Sequence, residues 1–224
     1  MGDAIGQSLV FAIGIGLSPF SIVAIVLILA TPRARANGVA FLAGWVVGLA
    51  AVGTVVLALI GDDATSDGGP AHWVSGLKLA LGLLLLAFGV RAWLERSRAG
   101  DDAELPAWMR ALDTFTPPKA AGLGLLLSSA NPKNLVLAVA GAATIAQAGL
   151  SVGQEAGALA VFVAVGTLGA AVPLVLYLAL GERSGAILGE LKDWMARNNA
   201  TIMAVLALII GVKLIGDAVS GFAS

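Results

Sequence analysis

The chain has 224 residues, 58% of them hydrophobic and only 12% charged, with a formal net charge of −1 and a mean hydropathy of +0.94. A soluble domain carries about 25% charged residues, so this composition excludes an ordinary water-soluble enzyme and describes a chain made for lipid. Cysteine is absent and His72 is the single histidine; disulfides, thiol relays, thiolate sites and His-based metal clusters are thereby excluded, and no cofactor is expected.

Six apolar stretches are read as membrane spans. The first, 4–30, follows Met1–Asp3, which lacks the positive n-region of a signal peptide, and is read as a retained span. It exceeds the about 20 residues that a ~30 Å hydrocarbon core requires and carries Ser18-Pro19 near its middle. Span 2, 38–60, has Gly44 and Gly48 on a small-xxx-small face that predicts close packing on a neighbour. Span 3, 73–94, carries Lys78 towards its outer end, where snorkelling is expected.

Span 4, 120–148, is again over-long and holds Asn131-Pro132 near its middle. Span 5, 156–180, contains Pro173, read as a packing kink. Span 6, 199–219, carries Lys213, expected to snorkel or to pair with Asp217 one turn on. His72 is read as interfacial, and the sequon at Asn199–Thr201 as without consequence.

Charge sorts the connections. Loop 31–37 carries Arg33 and Arg35; loop 95–119 carries Arg96, Arg98, Arg110 and Lys119; loop 181–198 carries Arg183, Lys192 and Arg197. Loop 61–72 has Asp62, Asp63 and Asp67 with no cation, and neither loop 149–155 nor the tail after 219 has one. The positive-inside rule then predicts a multi-pass membrane protein with both termini outside and the three basic loops in the cytoplasm. Leu105, Trp108, Met109, Leu112 and Phe115, and Ile187, Leu188, Leu191, Trp194 and Met195, recur at helical spacing. These amphipathic segments either lie in the headgroup layer or pack on the end of the bundle.

A weak internal repeat joins the two ends of the chain. Gly89-Val90-Arg91 closing span 3 matches Gly211-Val212-Lys213 in span 6, and the mid-span prolines of spans 1 and 4 form a second pair. Three spans per half would invert one half relative to the other, the plan of many secondary transporters. The expected architecture is an all-α membrane protein of two inverted three-helix repeats, 1–98 and 120–224. Helices 1 and 4 are broken at proline, and 99–119 is a cytoplasmic linker.

Proline deletes a backbone donor and frees the carbonyl four residues back, which in lipid must turn inwards for a partner. The candidate substrate site is therefore Ser18, Pro19 and Ser21 at one break and Ser128, Asn131, Pro132, Lys133 and Asn134 at the other. Lys133 is the most informative of these. A mid-membrane lysine costs about 2.5–3.5 kcal/mol on insertion scales, so it is expected to pair internally or to meet an anionic substrate beside a half-helix N-terminus.

Ser18-Pro19-Phe20-Ser21, Thr31-Pro-Arg-Ala-Arg-Ala-Asn-Gly38-Val-Ala-Phe-Leu-Ala-Gly44-Trp45 and Asn131-Pro-Lys-Asn134, with Pro106-Ala-Trp108-Met-Arg-Ala-Leu-Asp ahead of span 4, closely resemble the Sap/GAP lipid-addressing proteins of actinobacteria. That family lies within the LysE-type exporter superfamily. The resemblance implies a six-helix fold of two halves and a part in moving cell-envelope glycolipids towards the surface. LysE-type amino-acid exporters tend to have Gly-Pro where this chain has Ser18-Pro19. The related thiol-electron carriers need paired membrane cysteines, which are missing here.

Three classes of function stand side by side. A transporter of an anionic or amphiphilic substrate, most simply a glycolipid, is favoured, with small amino-acid export as its variant. A non-transporting helper docked on a larger lipid exporter is the second. An intramembrane enzyme is set aside, because no span offers a Ser/His pair, an acidic pair or a metal cluster. The partners expected are membrane lipid or a small anion, with a larger exporter or a second copy of the chain left open, and no nucleic acid.

Overall fold

In the computed structural model, residues 1–60, 72–95 and 115–223 are described. They form eight α-helices and one 3-10 turn: α1 (Gly2–Gly16), α2 (Pro19–Leu29), α3 (Ala34–Ile60), α4 (His72–Glu95), α5 (Pro117–Ser129), α6 (Pro132–Ala146), α7 (Val152–Leu180), the turn Gly181–Arg183, and α8 (Ser184–Ala223). The acidic loop after α3, Arg96, Arg98 and Arg110, most of the expected linker and the amphipathic stretch from Leu105 to Leu112 lie outside the described residues.

Four helices, α3, α4, α7 and α8, are each long and apolar enough to cross a membrane, and the pairs α1–α2 and α5–α6 qualify as bent units. The two bends are 51° and 63°. Both fall where the sequence predicts them, because a residue before proline is pushed out of the α region and a proline at N1 pre-sets the next helix. Ser18 and Asn131 accordingly adopt extended backbone as N-caps of α2 and α6.

Each bent pair advances along a continuous helix instead of doubling back. From α1 into α2, a Cβ on Gly166 would face Ala12 and Ile15, and one on Gly169 would meet the Gly16 carbonyl; further on, Leu29 and Leu174 flank Gly38, and Ala30 and Tyr177 share a cavity. From α5 into α6, Ala121 abuts Gly44 and Ser128 abuts Gly48, and Ala142, Ala143 and Ala146 then cluster with Val56 and Ile60.

Glycine sets how closely these helices approach. A Cβ on Gly44 would lie 1.9 Å from the Ala121 carbonyl oxygen, and one on Gly169 would lie 1.7 Å from that of Gly16. The face read at Gly44 and Gly48 is thus occupied, and its partner is α5. On the other side of the molecule α4 crosses α8 antiparallel: Gly82 packs on Gly211, and Gly89 on Ala204 and Ala207.

The two ends of the bundle differ. Asp3, Gln147, Asp217 and Ser220 line one cavity, so both termini lie at the same end. Ala30 and Thr31 share a cavity with Ser184 and Lys192, and the Asn37 amide donates to the Phe115 carbonyl at 2.9 Å. The described basic residues of these connections, Arg33, Arg35, Lys119, Arg183 and Lys192, therefore gather at the opposite end.

The amphipathic stretch at 187–195 is the start of α8, continuous with span 6. Leu188 and Met195 are buried against the bundle, whereas Ile187 and Trp194 are about half exposed. Of the two readings, packing on the end of the bundle describes its inner face. Pro173 sits buried within α7, which continues through it.

Candidate substrate site

The two breaks meet at the centre of the molecule. Each ends one half-helix with unpaired carbonyls, and the chain satisfies them differently on the two sides. At the second break the Asn134 amide donates to the Leu127 carbonyl at 2.8 Å, and Asn131 Oδ1 accepts from the Lys133 backbone N–H at 3.1 Å. At the first break the Gly14 carbonyl accepts from Lys133 Nζ at 2.7 Å. The lysine thus reaches from α6 across to the C-terminal end of α1, where a cation also meets the negative end of the half-helix dipole.

Four predicted residues, Ser18, Ser21, Ser128 and Asn134, are almost fully buried. Ser128 donates to the Leu125 carbonyl at 3.0 Å, whereas the hydroxyls of Ser18 and Ser21 and Oδ1 of Asn134 have no partner. Pro19, also buried, opens α2. Of the eight candidates, Asn131, Pro132 and Lys133 line one cavity together.

That cavity, about 330 Å³, lies between α2, α4, α6 and α8. Phe20, Leu85, Val136 and Met203 form its apolar walls, and Asn131–Lys133 supply its polar patch. Leu84 and Phe88, which also line it, are 60% and 42% exposed, so it opens sideways through the outer face of α4. An apolar recess with a few convergent polar groups is the usual form of a small-molecule site, and a side opening suits a ligand arriving from the bilayer.

The sequence reading missed these walls, since an apolar residue in an apolar span carries no mark of which cavity it lines. A second miss is Lys78. It is buried at the terminal end of the bundle, and its ammonium donates to Oε1 of Gln147, a residue that carried no signal in the sequence. Lys213 does pair with Asp217, at 2.6 Å, and also lies 4.9 Å from the centre of the Phe11 ring.

A bundle of long apolar helices, two of its candidate spans broken at their middles, defines a polytopic membrane protein. The Sap, sulfolipid-1-addressing protein, family matches residues 9–220. The chain belongs to that family. No curated protein and no solved structure matches it.

Proposed function

We propose that the protein is a small transporter that moves an anionic amphiphile, most simply a cell-envelope glycolipid, across or out of the bacterial plasma membrane. The observation that carries this reading is the side-opening apolar cavity with Lys133 and Asn131 at the helix break. Apolar chains enter between Leu84 and Phe88, and an anionic head group competes with the Gly14 carbonyl for the Lys133 ammonium. The family's description as sulfolipid-addressing agrees with such a cargo.

In this reading the chain crosses six times as two inverted halves. Pairing of helices supports it: α3 runs parallel to α5 and α1 to α7, while α4 and α8 are antiparallel, as spans 2 and 4, 1 and 5, and 3 and 6 of an alternating path must be. Exchange of the halves also carries contacts onto one another. With Gly89 matched to Gly211, Gly82 falls on Ala204; Gly82 packs on Gly211, and Gly89 packs on Ala204. With Pro19 matched to Pro132, Ala12 and Ile15 fall on Leu125 and Ser128; Gly166 packs on the first pair and Gly48 on the second.

Gathering of the described basic loop residues at one end supports the orientation with both termini outside. In this cysteine-free chain, Asp3→Cys should react with an impermeant thiol reagent in intact cells and Arg183→Cys only after permeabilisation; the reverse pattern overturns the orientation.

The test of transport is lipid movement per correctly folded molecule in reconstituted vesicles. Lys133→Gln keeps a hydrogen-bond donor for Gly14 but loses the charge, and is expected to lower transport of an anionic lipid at least about tenfold, the loss of one charge-assisted contact. Wild-type transport by this variant rejects the lysine as the head-group site. Half-exposed Ile187 and Trp194 at the basic end favour the second reading, a helper that docks on a larger exporter. A helper loses function with Trp194→Ala and is indifferent to Lys133→Gln.

A further inference from the structure

A second cavity lies at the end of the bundle that carries the termini, between α1, α4, α6 and α8, with a volume of about 440 Å³. Its lining is of another kind: Asp3, Ser75, Lys78, Thr144, Gln147 and Asp217. Ser75, Lys78 and Thr144 are buried, at 1%, 9% and 5% exposure. Thr144 is eleven residues beyond Lys133, so along α6 this cavity lies roughly 16 Å from the helix break.

We propose that this cavity is a binding site for a neutral, hydroxyl-rich head group, a glycosyl unit, distinct from the anion-attracting site at the break. Charge favours a neutral ligand. The Lys78 ammonium is engaged by Gln147 and the Lys213 ammonium by Asp217, while the carboxylates of Asp3 and Asp217 face the same space. Gln147 is neutral and leaves the Lys78 charge in place, but Lys213 and Asp217 cancel and Asp3 offsets Lys78, so the lining offers no net charge to draw an anion or a cation.

Hydrogen-bonding capacity decides for a polyol. The Lys78 ammonium gives one of its three N–H groups to Gln147, so donors remain for an acceptor. The carboxylates accept only, and the hydroxyls of Ser75 and Thr144 do both; Thr144 already donates to the Ala140 carbonyl at 2.9 Å and is left to accept. A group of adjacent hydroxyls matches this mixture, because its O–H groups can donate to the carboxylates and its oxygens accept from the ammonium. The site deepens the transport reading by giving the sugar of a glycolipid a second station, near the mouth of the bundle, after its charged group leaves Lys133.

The experiment uses the full-length protein in nanodiscs with one cysteine, Ser220→Cys, on the rim of the cavity. The rate of its alkylation is followed with octyl glucoside, octyl sulfate or octyltrimethylammonium, probes that share a chain and differ in the head. Octyl glucoside is expected to slow alkylation by a factor of 1 + [L]/Kd, about tenfold at nine times Kd, and the two charged probes to leave it unchanged. Asp217→Asn should weaken glucoside binding about tenfold through loss of a charge-assisted hydrogen bond. Should that variant fold poorly, Ser75→Ala should weaken it about two- to fivefold.

Protection by octyl sulfate equal to or better than that by octyl glucoside overturns the proposal, as does equal protection by all three probes or by none. Lys133→Gln separates it from the transport reading. That variant should leave glucoside protection intact, so a lost transport activity with intact protection condemns neither site for the failure of the other.

Discussion

Lys133 illustrates what a single residue in lipid is asked to do. Its ammonium caps the Gly14 carbonyl at the end of α1, so it ties the two breaks together in this arrangement. Replacement by methionine leaves that carbonyl unsatisfied, at about 1–3 kcal/mol, and removes a charge whose insertion costs about 2.5–3.5 kcal/mol. The two effects nearly cancel, so Lys133→Met and Lys133→Gln should both unfold within a few degrees of the parent. Lys133→Glu sets a negative charge against a carbonyl at the negative end of a helix dipole and should be clearly less stable. Thermal unfolding of the purified variants measures this order, and equal stability of Glu and Met would sink the capping role. The sequence marked Lys133 because depth along a span is countable. It could not mark the Lys78–Gln147 pair, because depth says nothing of which neighbour stands at the same height on another helix.

At the scale of helices, the breaks were legible and the pairings were not. Proline at N1 and the forced extended residue before it are local chemistry, so the bends at Pro19 and Pro132 stand where the sequence puts them. Span 6 was read as 199–219, yet α8 begins at Ser184, because the amphipathic stretch that looked like a separate element continues into the span. Apolar periodicity fails here for a physical reason: lipid-facing and protein-facing sides are equally apolar, and association relies on close packing at small residues. Gly44 was readable as such a position, while its partner α5 was not. Glycines therefore carry a prediction. Gly44→Val or Gly169→Val must push apart two backbones, since the new Cβ would lie under 2 Å from a carbonyl oxygen, and should cost at least about 1–3 kcal/mol. Gly216→Ala, with nothing within 4 Å of the added carbon, should instead raise helix stability by about 0.5–1 kcal/mol. Denaturant titration in detergent tests the contrast; equal tolerance at the three positions would mean that α3–α5 and α7–α1 do not pack as described.

For the molecule as a whole, the half-helices around the breaks are not used alike. At the end with the termini, α1 packs along α6, locked by Lys133 on Gly14. At the basic end, α2 scarcely touches α5. If the halves are inverted repeats, these two pairs are counterparts, and a transporter that rocks one repeat against the other must also visit the reciprocal state, with α1 parted from α6 and α2 drawn to α5. Spin labels at Gly6→Cys and Ala148→Cys report the first pair, and labels at Ala30→Cys and Lys119→Cys the second; all four positions are exposed. In nanodiscs, an anionic lipid that competes for Lys133 should lengthen the distance at the terminal end and shorten it at the basic end, the two changes rising together with lipid fraction. Zwitterionic lipid should leave both distributions as they are, and Lys133→Gln should make the anionic lipid no better than the zwitterionic one. A protein that scaffolds a larger exporter has no need of a second arrangement and should give one fixed distance for each pair. Transport that proceeds while both distances stay fixed would remove reciprocal rocking of the halves as its mechanism.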